Sequence, residues 1–423
     1  MLELLARSAY SLLLRLATPI YLARLWWRGR REPAYRSHWA ERLGMGGEPA
    51  QPGRLWLHAV SLGETHAAAA LVHALRARRP GLRLLLTHGT ATGREAGAGL
   101  LQEGDAQVWL PYDTPGAVRR FLRHHRPALG VVMETEVWPN LLHAAQAAGV
   151  PMVLANARLS ERSHLKGQRL SVLMHPALAR FTRVLAQTEA DARRLRASGG
   201  TSVQVMGNLK FDMSPAPELL SRGRTWRSGL GRAVVLAAST REGEEEPLLR
   251  AWRSVPAPRP LLLLVPRHPQ RFDEVASLVA ALDLFALRRS SWADAPPPEA
   301  SGADVWLGDS MGEMPLYYAC ADAALLGGSF APLGGQNLIE AAACACPLVM
   351  GPHTFNFAEA AELALAAGAA QRVQDLSEGV SLAVQLAWDP ARSVWAARAQ
   401  AFAAGHRGAA ERMARAVLAL APR

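Results

Sequence analysis

The stretch that decides the fold is 321–357, ADAALLGGSFAPLGGQNLIEAAACACPLVMGPHTFNF. Its first apolar run, Ala323–Leu326, is short and uncharged and reads as a buried strand. Gly327, Gly328 and Ser329 follow, then Gly334 and Gly335. Paired glycines after a strand permit positive φ and close approach to a ligand. Gln336-Asn337 opens an Ala-rich helix with Glu340 in its first turn. A glycine turn feeding a helix N-terminus offers N–H groups and a positive dipole end, which suit a phosphate. A carboxylate one turn in would repel a phosphate but can accept from sugar hydroxyls. A second strand, Pro347–Met350, leads to another glycine turn, Gly351-Pro352-His353. Strand, glycine turn, helix and strand make one α/β unit; the same glycines also suit a plain loop with no ligand.

Working outward, the alternation repeats on both sides. Upstream, apolar runs at Leu55–Val60, Leu84–Thr87, Val108–Leu110, Leu129–Met133, Pro151–Ala155, Val184–Ala186 and Val203–Met206 read as strands, with helices such as His66–Arg78 and Pro115–Arg126 between them. After the Pro/Ser/Arg-rich stretch Ser214–Gly231 the pattern restarts at Ala233–Ala238, Pro260–Val265 and Val305–Leu307. Strands alternating with helices predict parallel, doubly wound sheets. A chain of 423 residues is too long for one ordinary domain. The expected class is α/β, with two Rossmann-like doubly wound domains at 32–213 and 214–390 and a cleft between them. A segment 1–31 precedes them and a helical tail, 391–423, follows. In such sheets ligands gather at the carboxyl ends of the strands. The polar clusters fall there: 61–65, 87–93, 134–140, 156–160, 207–212, 239–246, 266–269 and 308–314.

The formal charge is +11, from 47 Lys and Arg against 36 Asp and Glu. Such a balance suggests an anionic partner: nucleic acid, an acidic membrane surface or a phosphorylated substrate. Nearly all the cations are Arg; only Lys166 and Lys210 are Lys. A Lys kept against that bias marks a place where Arg serves poorly, unless it survives by chance. Asn is also scarce, and Asn140, Asn156, Asn208, Asn337 and Asn356 all lie in stretches singled out on other grounds. Cys320, Cys344 and Cys346 form neither a disulfide framework nor a zinc site, and read as small core residues in a reducing compartment.

Residues 1–28, MLELLARSAYSLLLRLATPIYLARLWWR, are mostly apolar from Ser8 to Trp27 but broken by Arg15, Pro19 and Arg24. A spanning helix needs about 20 apolar residues with few charges, and a central Arg is costly there. Trp26 and Trp27, followed by Arg28, Arg30 and Arg31, read as an interfacial belt with cytoplasmic positive charge. The expectation is a membrane anchor, spanning or interfacial; the alternative is a helix docked on the first domain. No small-residue cleavage site follows, which argues against a secreted signal peptide.

Seven stretches, in order, carry a family resemblance: His58-Ala-Val-Ser-Leu-Gly-Glu64, Met133-Glu-Thr-Glu-Val-Trp-Pro-Asn140, Asn156-Ala-Arg-Leu-Ser160, Gly207-Asn-Leu-Lys-Phe-Asp212, Pro266-Arg-His-Pro269, Gly312-Glu-Met314 and Gly327-Gly-Ser329. Together they resemble the 3-deoxy-D-manno-octulosonic acid (Kdo) transferases of lipopolysaccharide synthesis, over nearly the whole chain. The resemblance implies GT-B type architecture with an N-terminal membrane-anchor helix and a CMP-Kdo donor. The acceptor would be a lipid A precursor (lipid IVA) at the cytoplasmic face of the cell inner membrane, whose anionic lipid would meet the basic chain. Transfer would be inverting and metal-independent, with no cofactor. By the same resemblance Glu64 is the base and Lys210 a second catalytic residue. Ser61, Gly63, Glu134, Glu136, Asn140 and Arg158 would lie on the acceptor side, in the first domain. Ser239, Arg267, His268, Gly312, Met314, Gly328, Ser329, Asn337 and Glu340 would bind the donor, in the second. Two positions depart from the family: Arg241 stands where it usually has His, and Gln336 where it often has His.

The residues by themselves leave more open. Glu64 follows a strand and a glycine at a helix start, where a capping carboxylate is the ordinary reading. Glu134 and Glu136 flank Thr135, and nothing in the spacing says which would orient an acceptor. Lys210 and Arg267, at strand ends, suit phosphate or carboxylate, or are plain surface charges. His58 is as much a core histidine as a ligand contact. The run Glu242–Glu246 reads as a solvated helix start, and Trp138 as core or hinge packing. No Asp-x-Asp motif and no His/Cys cluster with ligand spacing occurs, so no metal is expected. Two other functions compete. One is a GT-B-like nucleotide-sugar epimerase, which needs neither lipid acceptor nor anchor. The other is a basic, membrane-tethered protein that binds anions or nucleic acid. The latter would interleave basic patches with aromatics, whereas here the arginines are spread over helices and aromatics are few, so no nucleic-acid partner is expected.

Overall fold

Two parallel sheets of seven strands each organise the chain in the computed structural model, which describes residues 1–30, 32–46, 52–212 and 214–421. The strands divide between two compact units: Met1–Asp212 with Arg407–Arg423, and Met213–His406. In the first, β1 (Leu55–His58), β2 (Leu84–His88), β3 (Ala106–Trp109), β4 (Leu129–Met133), β5 (Met152–Ala157), β6 (Arg183–Ala186) and β7 (Val203–Val205) run in the order β3-β2-β1-β4-β5-β6-β7. In the second, β8 (Val234–Thr240), β9 (Leu261–Pro266), β10 (Ala286–Arg288), β11 (Val305–Leu307), β12 (Ala323–Leu326), β13 (Leu348–Met350) and β14 (Ala370–Arg372) run β10-β11-β9-β8-β12-β13-β14. The order reverses between β1 and β4 in one sheet and between β8 and β12 in the other, and ligands bind beside such switch points.

Strands buried on both faces are mostly apolar, which is why they read as near-continuous apolar runs, with polar residues such as His58, Thr87, His88 and Asn156 towards their carboxyl ends. Leu55 and Leu57 of β1 pack into one core with Leu71, Val72 and Leu75, while Trp56 enters the opposite core, its ring 5.0 Å from that of Phe121. The stretch around 321–357 folds as read, with Ala323–Leu326 and Leu348–Met350 as strands and a helix Leu338–Ala343 between them. The sequence reading missed both edge strands of the second sheet, β10 and β14. Each has three residues and carries an Arg, so neither shows an apolar run.

The tail, expected as one segment 391–423, belongs to both units. Its helices Arg392–Gly405 and Ala409–Leu418 are separated by Gly408, whose φ of 94° suits glycine. Met413, Ala414 and Val417 are fully buried against the first unit's core, and Asp212 accepts from the N–H groups of Gly408 and Ala410.

The helix Leu2–Arg28 is docked on the first unit on one side and open on the other. Tyr10 donates to Asp113 (3.0 Å), Ser11 to Asn140 (3.1 Å) and Arg180 to Glu3 (2.6 Å). Leu5, Leu12, Leu16, Ile20 and Trp27 are exposed and share helical spacing. Among the described residues no helix is long and apolar enough to cross a membrane; Arg15, Pro19 and Arg24 interrupt this one. The docked reading and an apolar outward face therefore hold together, and the spanning reading does not.

Because Met413 is fully buried in the first unit's core, Met413→Ala should cost about 2–5 kcal/mol of stability, the range for truncating a core side chain. Urea unfolding with an unchanged midpoint would mean that the tail contributes nothing to that core.

Candidate active site

The first unit's site begins where β1 ends. Ser61 caps the helix Leu62–Arg78, accepting from the Glu64 N–H, and Glu64 reaches back to accept from the Val60 N–H at 2.9 Å and from the Ser61 hydroxyl at 3.3 Å. This Ser-x-x-Glu box starts the helix four residues before the expected His66. It also makes Glu64 a cap as well as a candidate base. A side chain added at Gly63 would meet nothing within 4 Å, so the space beside Glu64 is open. Burial pushes the Glu64 carboxyl up to about 7 against the pull of the Val60 N–H, and nearby Glu134 and Glu136 add to the rise.

At the end of β4, Glu134 is held at φ 56°, in the left-handed region that costs a non-glycine residue of order 1 kcal/mol or more. Its carboxylate lies 3.9 Å from Arg158 Nε. Glu136 is raised, chiefly by burial. Asn156, at the end of β5, is likewise left-handed (φ 51°), and its side-chain oxygen accepts from the Leu209 N–H at 3.0 Å. That bond fixes the turn Leu209–Asp212 that carries Lys210. Lys210 is lowered by burial, with Glu134 and Glu64 opposing and Arg158 adding to the fall. Glu64, Glu134, Glu136, Arg158 and Lys210 thus form one cluster at the carboxyl edge: a carboxylate with proton affinity near neutrality beside cations.

Two expected or open residues lie elsewhere. Asn140 is buried, its amide donating to the Asp113 carbonyl and its oxygen accepting from Ser11, so it holds the N-terminal helix rather than an acceptor. His58 is fully buried and donates from Nδ1 to the Thr87 carbonyl; burial holds it down near 3, a neutral core histidine.

The second unit's polar residues gather at the ends of β8, β9, β11 and β12. Ser239, the last residue but one of β8, has φ 55° and donates to Met314 Sδ. Gly327 passes so close to Ser239 that a Cβ would lie 2.3 Å from its carbonyl oxygen, and Gly328 has φ 70°. Arg267 follows β9, tied by its N–H to the Thr240 carbonyl. His268 is lowered by partial burial and by Arg241, Arg267 and Arg271 around it. Glu340 is raised by burial, with Arg267 opposing. Asn337 caps the short helix, accepting from the Ile339 N–H, and Gly312 (φ 79°) shapes the turn before Met314.

Two features of the glycine stretch differ from expectation. The Gly328 N–H, expected to be free for a phosphate, is donated to Glu244 at 2.7 Å. Ser329 is fully buried; its hydroxyl donates to the Leu326 carbonyl and accepts from the Gly351 N–H, which ties β12 to the turn after β13. The acidic run read as solvated is divided: Glu242 and Glu246 are exposed, but Glu244 and Glu245 are buried. Sequence reasoning passed over Arg241 as a cation and Glu244 as a partner, because nothing in an Arg-Glu-Gly-Glu-Glu-Glu run shows which side chains turn inward.

Two Rossmann-like units with strained polar residues at their strand ends define a GT-B type protein. The solved structure of Anabaena HepE in complex with UDP has the same fold, with a TM-score of 0.59 at 17% identity, covering 87% of this chain and 99% of that one. The family described as 3-deoxy-D-manno-octulosonic-acid transferase (kdotransferase) matches residues 37–213. The chain is 48% identical to the 3-deoxy-D-manno-octulosonic acid transferase of Bordetella pertussis over 96% of its length and 97% of that protein's. It is 35% identical to the enzyme of the same name from Haemophilus influenzae, over 90% of both. The chain belongs to the 3-deoxy-D-manno-octulosonic acid transferase family and is a glycosyltransferase, so the epimerase and nucleic-acid-binding readings fall away.

If Glu64 is the base, Glu64→Gln keeps the Val60 and Ser61 contacts but removes the proton acceptor. Its kcat should fall by about 10²-fold or more with CMP affinity nearly unchanged. Near wild-type turnover at saturating acceptor would rule Glu64 out and turn attention to Glu134 and Glu136.

Proposed function

We propose that the protein transfers Kdo from CMP-Kdo to a lipid A precursor such as lipid IVA, with inversion and without a metal, at the cytoplasmic face of the inner membrane. The observation that carries the chemistry is Glu64: a half-buried carboxylate at the end of β1, raised to about 7, next to a glycine that leaves open space. Inverting transfer is a single displacement. The acceptor hydroxyl attacks the anomeric carbon from the face opposite the departing CMP, and Glu64 takes the hydroxyl proton as the bond forms. Charge gathers on the leaving phosphate, which the second unit meets with Arg267 and Arg241, the cations around His268. Half-buried Glu340, facing Arg267, is placed to accept from sugar hydroxyls. Lys210, beside Glu64 and Glu134, offsets the negative charge of that carboxylate cluster.

The N-terminal helix supports membrane contact without spanning. Its exposed row of Leu16, Ile20 and Trp27, flanked by Arg24, Arg28 and Arg30, has the pattern of a helix lying in an anionic interface. Exposed Leu165 and Leu170, near Arg162, Lys166 and Arg169 in the chain, repeat that pattern.

Purified enzyme with CMP-Kdo and lipid IVA should release CMP and yield a Kdo-bearing lipid by mass spectrometry, with EDTA present throughout. Release of CMP that ignores the lipid, or activity abolished by EDTA and restored by a divalent cation, would contradict the proposal. Replacing Leu16, Ile20 and Trp27 together by Gln leaves the Tyr10 and Ser11 contacts in place. It should shift the protein from the membrane pellet to the supernatant, and unchanged pelleting would remove the helix from the membrane contact.

A further inference from the structure

Glu244 is among the most buried carboxylates of the second unit, 2% exposed, and four backbone N–H groups converge on it. One oxygen accepts from Arg241 (2.9 Å) and Gly328 (2.7 Å), the other from Phe330 (3.1 Å) and Ala331 (3.2 Å). These donors come from two segments: the turn after β8 and the glycine loop after β12. Both segments flank the switch point between β8 and β12. One carries Arg241, just beyond Ser239 in the end of β8; the other carries Gly327 and Gly328. A carboxylate has about four lone-pair positions, and here each meets a donor. Bonds to an ionised acceptor are the stronger kind.

From this convergence we propose that Glu244 is the positioning residue of the donor site, fixing Arg241 and the 327–331 loop in the arrangement that receives the phosphate of CMP. The inference rests on the second unit being the donor unit. Glu244 does not touch the donor; it acts through the residues it holds. The loop's own N–H groups at Gly328, Phe330 and Ala331 are occupied by this carboxylate, so the loop serves the donor by its shape, and the cations Arg241 and Arg267 meet the phosphate. Gln is not a conservative replacement here. Its NH₂ would face two N–H donors in place of an acceptor, and the pair it displaces would be left unsatisfied.

The test uses full-length enzyme, with CMP as the calorimetric probe and CMP-Kdo as the kinetic one. Glu244→Gln should weaken CMP binding and raise the KM for CMP-Kdo by about 10- to 100-fold, the equivalent of losing charge-assisted bonds. The KM for the lipid acceptor should stay the same. Glu244→Asp keeps the charge but cannot reach both segments, so it should fall between the two. Asp322→Asn is the control for simple loss of stability. That buried carboxylate binds the Val234 N–H and Arg227 at the start of β8, far along the strand from the loop. It should lower the melting temperature but leave the KM for CMP-Kdo unchanged. If Glu244→Gln is folded and binds CMP within twofold of wild type, the proposal is wrong. Should that variant fail to fold, an unaltered KM in Glu244→Asp overturns it equally. A wild type that does not bind CMP overturns the donor reading, and this inference with it.

Discussion

Parallel strands cannot be joined by tight turns. Each must be followed by a crossover on a face of the sheet, so every strand in a sheet points the same way. All carboxyl ends then lie along one edge, and that edge is the place where short polar turns can gather. The chemistry of this chain follows from the constraint. Glu64 stands after β1, Glu134 after β4, Asn156 at the end of β5 and Lys210 in the turn beyond β7. In the second sheet Ser239 lies in the last two residues of β8, and Arg267, Met314 and Gly327 stand after β9, β11 and β12. Three of the strand-end residues are non-glycines with positive φ: Glu134, Asn156 and Ser239. Such strain persists only where the surroundings impose it.

Two glutamates show how similar sequence contexts diverge. Glu64 and Glu244 both follow a strand and a glycine, and both reach back to a backbone N–H at a helix start. Glu64 accepts one N–H and one hydroxyl, is only half buried, and faces two further carboxylates. It retains acceptor capacity and binds a proton readily. Glu244 meets four N–H groups and is sealed from solvent. The first can exchange protons with a substrate; the second can only hold its neighbours still.

What could be read in advance follows the same physics. The central strands were legible because burial on both faces favours near-continuous apolar runs, such as Leu129–Met133 and Val305–Leu307, set between turn signals and helices. The edge strands Ala286–Arg288 and Ala370–Arg372 carry no such demand. Glu64, Glu134, Arg267 and Glu340 were singled out by position and family resemblance together, and the structure shows where each sits, not what it does. Asn140 and Ser329 sit in equally telling places, yet their polar atoms serve the fold. The scarce asparagines have a common explanation that their scarcity alone did not reveal. Asn156, Asn208 and Asn337 each accept from a backbone N–H at a turn or cap, and Asn356 donates to the Leu333 carbonyl. Asn is kept where a short side chain must mimic the backbone. The division of the tail was invisible because its two helices look alike in composition, and only the glycines Gly405 and Gly408 mark the break.

The central claim is that a half-buried carboxylate with a raised pKa removes the acceptor's proton. It is tested most directly by the pH dependence of kcat at saturating CMP-Kdo and lipid acceptor. A carboxyl raised to about 7 is protonated, and so inactive as a base, below that pH. Log kcat should therefore rise with pH and bend near 7, and the bend should be absent from the residual activity of Glu64→Gln. A profile that is flat from about pH 5 to 8, or a bend that persists in Glu64→Gln, would contradict the account.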